Sequence, residues 1–417
     1  MRWWMSTRAE PTTATEPADA TASADALTRP LRLLSLAGFA SMASMRWCDA
    51  LLPLLAAEFG SSTGQAAQTV AAFAIAYGLM QLVYGPLGDR HGKFTVVSWA
   101  TLACTVGAIG CAMAPGLGWL TAARALNGAA AAAVIPLTMA WIGDRVPMDQ
   151  RQAVLARMLS ATVLGMIAGQ WLAGVFADTL GWRAGFVLLA LAFGAAGLAM
   201  RRFARTAPRD ADAADAAPLP MFQQMRAVLA LPTARWLYAV AAVEGALAVG
   251  AVTFVPSLLQ GRFGLSASAA GAVLMGYGVG GLLYTRAAPW MLRRASSATV
   301  AGVGTGLLSL SWLALAVLPD WRAAPLLCGG AGLGFYMLHS ALQTTATQIA
   351  PVARGTAVSL FASALFFGQS IGVWALSLAV DRSGPAVGLW VAGLLLPLVG
   401  WVFVAGIGSR RASEPGP

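Results

Sequence analysis

The chain has 417 residues, of which 58% are apolar and 11% charged, and its net charge is +10. Soluble domains carry about a quarter charged residues, so this composition excludes a soluble globular protein, and the apolar content excludes a disordered one. Four Cys are too few for a secreted disulfide scaffold, which leaves a polytopic membrane protein.

In chain order, residues 1–28 are rich in Ala, Thr and Pro, lack an apolar period and are expected to form a disordered cytoplasmic tail. Apolar segments follow at 31–57, 66–87, 94–114, 117–142, 154–177 and 182–200. Residues 201–232 read as a polar cytoplasmic linker. A second set runs over 233–259, 267–290, 296–318, 321–348, 355–380 and 385–407. Each segment is long enough for a membrane helix, which needs about 20 residues. The runs are continuously apolar, unlike the alternating strands of a membrane barrel. The expected fold is an all-α membrane protein with twelve transmembrane helices in two six-helix bundles, residues 29–200 and 233–408, ending in a cytoplasmic tail at 409–417.

Orientation follows from the basic residues. With the N-terminus cytoplasmic, inside loops and tails hold 21 Arg and Lys and outside loops hold 4. The positive-inside rule then puts both termini in the cytoplasm. This distribution, rather than nucleic-acid binding, accounts for the basic charge. All but one of the 27 basic residues are Arg, which fits a bacterial chain from a GC-rich genome and hence the inner membrane. Cys48, Cys104, Cys111 and Cys328 lie inside apolar runs, so neither a metal site nor a cofactor is expected.

A shift of 203 residues reveals an internal repeat. It brings Arg32 onto Arg235, Pro53 onto Pro256, Arg151 onto Arg354, Gly165 onto Gly368, Gly169 onto Gly372, Asp178 onto Asp381 and Gly181 onto Gly384. With small offsets, Tyr77-Gly78 meets Tyr277-Gly278. Six segments in each copy make the two halves parallel and pseudo-symmetric, with a substrate path expected between them.

The segment from Gly85 to Lys93, GPLGDRHGK, falls in the expected turn between the second and third spans. It resembles the signature loop of the major facilitator superfamily, and the twelve-span repeat extends that resemblance over nearly the whole chain. The resemblance implies a conformational latch carried by Gly85, Asp89, Arg90 and Gly92. The second copy has Thr285 in place of the Asp, so a one-sided latch is expected. Arg124, in Arg124-Ala-Leu-Asn-Gly128, is similar to a fourth-helix motif of proton-linked members, in which the Arg lines the cavity and tunes a carboxyl. Gly165-Met-Ile-Ala-Gly169-Gln170 partly resembles the antiporter motif of the fifth helix, with Gln170 where the family has Pro.

Charges inside membrane segments are costly and usually functional. Arg46 and Asp49 are three residues apart in the first span and are expected on one face. A carboxyl there gains or loses a proton according to the charges and water that reach it. Asp49, Arg46 and Arg124 are therefore the expected proton-coupling group. The other reading is a static ion pair between the first and fourth helices, or an Arg124 that snorkels outward. Glu244, His339, Gln170, Gln369 and Trp47 are expected along the substrate cavity, with Trp171 and Trp374 as further candidates. Gly165, Gly169, Gly368 and Gly372 offer close helix packing.

No hydrolase, phosphate-loop or zinc-protease motif is present. The resemblance is closest to the drug and metabolite efflux branch. It implies a monomer that exports a small organic molecule in exchange for protons. A proton symporter or uniporter importing a nutrient, and a non-transporting receptor or assembly factor on the same fold, remain open.

Overall fold

The computed structural model describes residues 17–206 and 221–413, and all secondary structure among them is helical. The first transmembrane element is broken in the middle. Helix α1, Pro17–Met45, gives way to a turn and a 3-10 segment, Asp49–Leu51, before α2, Leu52–Glu58. Helix α1 thus begins inside the stretch expected to be disordered, where an Ala-rich run favours helix, while residues 1–16 lie outside the described residues. There follow α3 (Thr63–His91), α4 (Lys93–Ala112), α5 (Leu117–Ala131), α6 (Val134–Arg145), α7 (Met148–Asp178) and α8 (Trp182–Thr206). After 207–220, the part of the expected linker outside the described residues, come α9 (Met221–Ala230) and α10 (Pro232–Glu244). A π-helical turn, Gly245–Val249, leads to α11 (Gly250–Val252) and α12 (Val255–Phe263). The chain continues with α13 (Ala267–Arg294), α14 (Ser297–Val317), α15 (Ala324–Ile349), α16 (Arg354–Ser383) and α17 (Ala386–Ser413).

Ten helical segments among the described residues are long and apolar enough to cross a membrane, where twelve were expected. The two expected spans missing from that set have physical reasons. Residues 31–57 are interrupted at Arg46–Asp49, and glycines and polar residues dilute the apolar run of α15. Helices α5 and α6 join into one such segment, as do α10 to α12.

The breaks in the first element and in its repeat share a cause. Pro53 sits at the start of α2 and Pro256 at the start of α12. Proline offers no N–H to the preceding turn and crowds its carbonyl, which ends the helix before it. Gly181 and Gly384, also one repeat apart, adopt φ +86° and +83° and close equivalent turns.

The glycines expected at helix contacts lie against backbone. Gly165 and Gly169 of α7 face the backbones of Phe39 and Ala43 in α1, and Gly368 and Gly372 of α16 face those of Ala242 and Ala246. A Cβ at any of the four would run into backbone atoms. Each partner is also displaced by 203 residues, so the two contacts repeat in register. Helix α3 packs along α16 and α7 along α13. Where chains associate inside lipid, such close approach of backbones supplies much of the attraction.

Candidate functional site

The buried ionisable groups gather where the two broken helices face inward. Arg46, Asp49, Arg124 and Glu244 are between 0% and 4% exposed. They hold two charges of each sign.

On the first side, Arg46 donates to Asp49 Oδ2 at 3.2 Å, an ion pair across the break itself rather than along a regular helix face. Asp49 Oδ1 and Arg46 Nε have no partner. Arg124 neither snorkels nor pairs directly with Asp49. Its guanidinium donates to the carbonyl oxygens of Ser44 at 2.8 Å and Met45 at 3.3 Å, and lies 4.3 Å from the centre of the Phe73 ring. These carbonyls close α1, so Arg124 is a cation at a helix C-terminus, donating where the break removes the regular helical N–H donors. Ser44 donates to Asn127 Oδ1 at 2.7 Å, and Asn127 Nδ2 donates to the Cys104 carbonyl at 3.0 Å. Arg124 and Asn127 of the fourth-helix motif therefore grip one helix end together.

On the second side, His339 Nδ1 lies 3.2 Å from Glu244 Oε2. Glu244 Oε1 has no partner. His339 stacks on Phe335, with ring centres 5.1 Å apart, and abuts Phe361. The π-helical turn begins at the residue after Glu244. Tyr277 has its hydroxyl buried without a partner, and its ring lies 5.8 Å from that of Phe335, on which His339 stacks.

The remaining expected residues are spread more widely. Gln170 is buried, with Oε1 free of partners. Gln369 is buried on α16. Trp47, expected along the cavity, instead packs between Phe176 and Phe186 and against Gly185. Trp171 and Trp374 are exposed. Neighbours such as Gln170 and Trp171 point about 100° apart on a helix, so one is covered when the other is not.

The Gly85 segment is not a loop. Helix α3 runs through Pro86 to His91, and the turn is Gly92 alone, at φ +83°. Asp89 is 62% exposed and lies 3.5 Å from Lys93, which also donates to Asp144 at 2.6 Å. The ion-pair partners of Asp89 and Lys93 among the described residues thus belong to the first half of the sequence.

At the opposite end of the helices is a contact that sequence reasoning missed. Asp178, at the end of α7, accepts from the backbone N–H groups of Ala267 and Ser268 at 3.2 and 2.8 Å, at the start of α13. Asp381, near the end of α16, accepts from Gly64 N–H at 2.8 Å and from the Ser62 hydroxyl at 2.7 Å, at the start of α3. Each carboxylate leaves the unfavourable C-terminal end of its own helix for the N-terminal end of a helix in the other half. The repeat places the two Asp residues in register but says nothing of this crossing. Gln260 donates to the Ala50 carbonyl at 3.0 Å beside them.

This arrangement, with buried charges at broken helices beneath an end tied shut, is that of a membrane transporter. The chain belongs to the Major Facilitator Superfamily, whose family profile matches residues 34–373. It is a multi-pass membrane protein of that family. Over 149 residues it is 26% identical to the multidrug export protein EmrB of Escherichia coli (strain K12), covering 36% of this chain and 29% of that protein. Over 163 residues it is 28% identical to the multi-drug resistance efflux pump PmrA of Streptococcus pneumoniae, covering 38% and 41%. The chain thus spans well under half the length of these relatives. An uncharacterized MFS-type transporter of Bacillus subtilis, YceJ, aligns more fully, at 24% identity over 77% of this chain and 82% of its own. In fold, the chain resembles the nucleoside transporter NupG, with TM-score 0.76, 15% identity, and coverage of 90% and 98%. It also resembles a bacterial homologue of the lysosomal transporter Spinster in an inward-facing, unoccupied conformation, with TM-score 0.70, 19% identity, and coverage of 94% and 99%.

Proposed function

We propose that the chain exports a small organic molecule across the bacterial inner membrane in exchange for protons. In this reading twelve spans form two parallel six-helix halves, both termini are cytoplasmic, and the monomer is the working unit. The two halves rock about a central site, and the end carrying Asp178 and Asp381 faces outward. The observation that carries the reading is the pair of buried charge clusters, Arg46 with Asp49 and His339 with Glu244, beneath those crossed contacts. With both carboxylates ionised and His339 neutral, the buried charges cancel.

Charge arithmetic then gives the coupling. A proton or a monovalent cation each raises the centre by one charge, and a second uncompensated charge in a dry site is costly. The two therefore exclude one another, which is the condition for exchange. Asp49, held by Arg46 and near Arg124, takes up the proton when the site faces outward and loses it when the site faces inward. Glu244 and Gln170, each with an oxygen free of partners, are positioned to receive substrate. The Asp89 segment engages the other half when the outer end opens. The likeness to EmrB and PmrA supports the efflux direction.

Inverted membrane vesicles holding the protein test this reading. Energised to an acid interior, they are expected to accumulate compounds whose export a deletion strain has lost, and to stop when the gradient is collapsed. Uptake driven by acid on the opposite face would instead mean symport. Transport phenotypes untouched by Asp49→Asn and Glu244→Gln would mean a receptor or assembly factor on this fold.

A further inference from the structure

A cavity of about 410 Å³ opens where α1, α6 and α7 meet, at the end away from Asp178 and Asp381. Arg32 and Arg157 both line it, and no acidic residue does. Both arginines are exposed, and neither has a hydrogen-bond or ion-pair partner among the described residues. Leu34, Val154 and Met158 form its apolar wall, and Ser35 adds a hydroxyl. Two guanidinium groups sharing one concavity repel each other unless an anion sits between them.

The internal repeat shows that this hollow is not a requirement of the fold. The contacts of Gly165 and Gly169 with α1 recur at Gly368 and Gly372 with the same displacement, so the register between α1 and α7 transfers to their counterparts. At the equivalent places, Tyr238 stands for Ser35, Ala357 for Val154, Leu360 for Arg157 and Phe361 for Met158. There the tyrosine hydroxyl donates to the Ala357 carbonyl at 3.0 Å, and all four residues are buried. One copy of the motif is filled by aromatic rings. The other is hollow, and a buried leucine has become an unpartnered arginine.

We propose that this cavity binds one amphiphile bearing a single phosphate, with the phosphate between Arg32 and Arg157 and its apolar part against Leu34, Val154 and Met158. Basic pockets between membrane helices on the cytoplasmic side suit anionic headgroups. The same chemistry could be met by a phospholipid of the inner leaflet or by a soluble phosphate ester. The site depends on the chain's place in the membrane and not on the direction or driver of transport, so it stands or falls apart from the export reading.

The test uses the full chain in detergent with added phosphatidylglycerol or phosphatidylcholine, with retained lipid counted by native mass spectrometry. Wild type is expected to retain one phosphatidylglycerol and to discriminate against phosphatidylcholine. Each arginine near an anionic phosphate is worth roughly fivefold in affinity, so Arg32→Ala with Arg157→Ala weakens retention roughly 25-fold. The double Lys variant largely keeps it, which separates lost charge from misfolding. Ser35→Tyr with Met158→Phe, which copies the filled half, abolishes retention with both arginines in place. Displacement of the lipid by millimolar glycerol phosphate assigns the site to soluble esters, and resistance to it assigns the site to lipid. Both outcomes support the anion site. Equal retention by wild type, the double Ala variant and the Ser35→Tyr, Met158→Phe variant would overturn it, as would a wild type that neither retains phosphatidylglycerol nor gains thermal stability from glycerol phosphate.

Discussion

Arg124 shows how one side chain can serve structure and function together. A break in the first transmembrane element leaves the carbonyls of Ser44 and Met45 without their regular helical donors, Ser44 keeping a 3.3 Å bond from the Trp47 N–H, and the buried guanidinium donates to both. Hydrogen bonds to a charged group contribute about 1.5–3 kcal/mol each, so Arg124→Ala is expected to lower stability by about 3 kcal/mol or more, read as a fall in the thermal unfolding midpoint in detergent. Arg124→Lys recovers only part, because a single ammonium lacks the fork that spans two carbonyls. Asp49 belongs to a different class of effect. Asp49→Asn keeps the shape and removes the ionisation, so the chain is expected to fold normally while gradient-driven flux drops by at least about tenfold, the scale of one lost charge interaction of about 1.4 kcal/mol. Gradient-driven flux unchanged in Asp49→Asn would remove the residue from the coupling account.

At the scale of elements, two kinds of contact act in opposite senses. The glycine seams of α7 on α1 and of α16 on α10 and its π-helical turn bind helices permanently. Gly169→Val or Gly372→Val drives a branched side chain into backbone, and overpacking of this kind costs about 1–3 kcal/mol or more. Poor yield and a lowered unfolding midpoint are expected for either, measured on the purified chain. The crossed contacts of Asp178 and Asp381 are reversible, since each joins an exposed carboxylate to the N-terminus of a helix in the other half. A cap of this type contributes about 1 kcal/mol, so Asp178→Ala with Asp381→Ala is expected to move the balance of states roughly thirtyfold toward opening of that end. Spin-label distances across it would register the change, and unchanged distance populations would remove these residues from the conformational account.

For the molecule as a whole, the helical architecture, the 203-residue repeat and the pairing of Arg46 with Asp49 were legible in the sequence. Periodicity and composition report what each segment must bury, and Arg, Asp, Pro and Gly matches at a single shift are hard to produce by chance. What stayed hidden depends on contacts between distant segments. The sequence marks Asp178 and Asp381 as equivalent but not that each caps the other half. It marks Arg124 as a buried cation but not that its partners are backbone carbonyls. It marks GPLGDRHGK as punctuation, whereas α3 continues to His91 because the following Gly92 supplies the turn. Twelve apolar runs are readable, yet ten helical segments among the described residues are long and apolar enough to cross, because buried charges, polar residues and glycines dilute the other two.

The central claim is that the two ends of the molecule open in alternation around the buried charges. Double electron–electron resonance between paired spin labels measures this directly, and Cys48, Cys104, Cys111 and Cys328 are buried free thiols that leave a low labelling background. One pair, Ala57→Cys with Ser383→Cys, reports on the end with the Asp contacts. The other, Gln150→Cys with Gln348→Cys, reports on the far end. As the pH is lowered, the first distance is expected to lengthen and the second to shorten in the same fraction of molecules, with Asp49→Asn fixed at one extreme across the range. Distances that stay constant at both ends, or that lengthen together, would contradict the account.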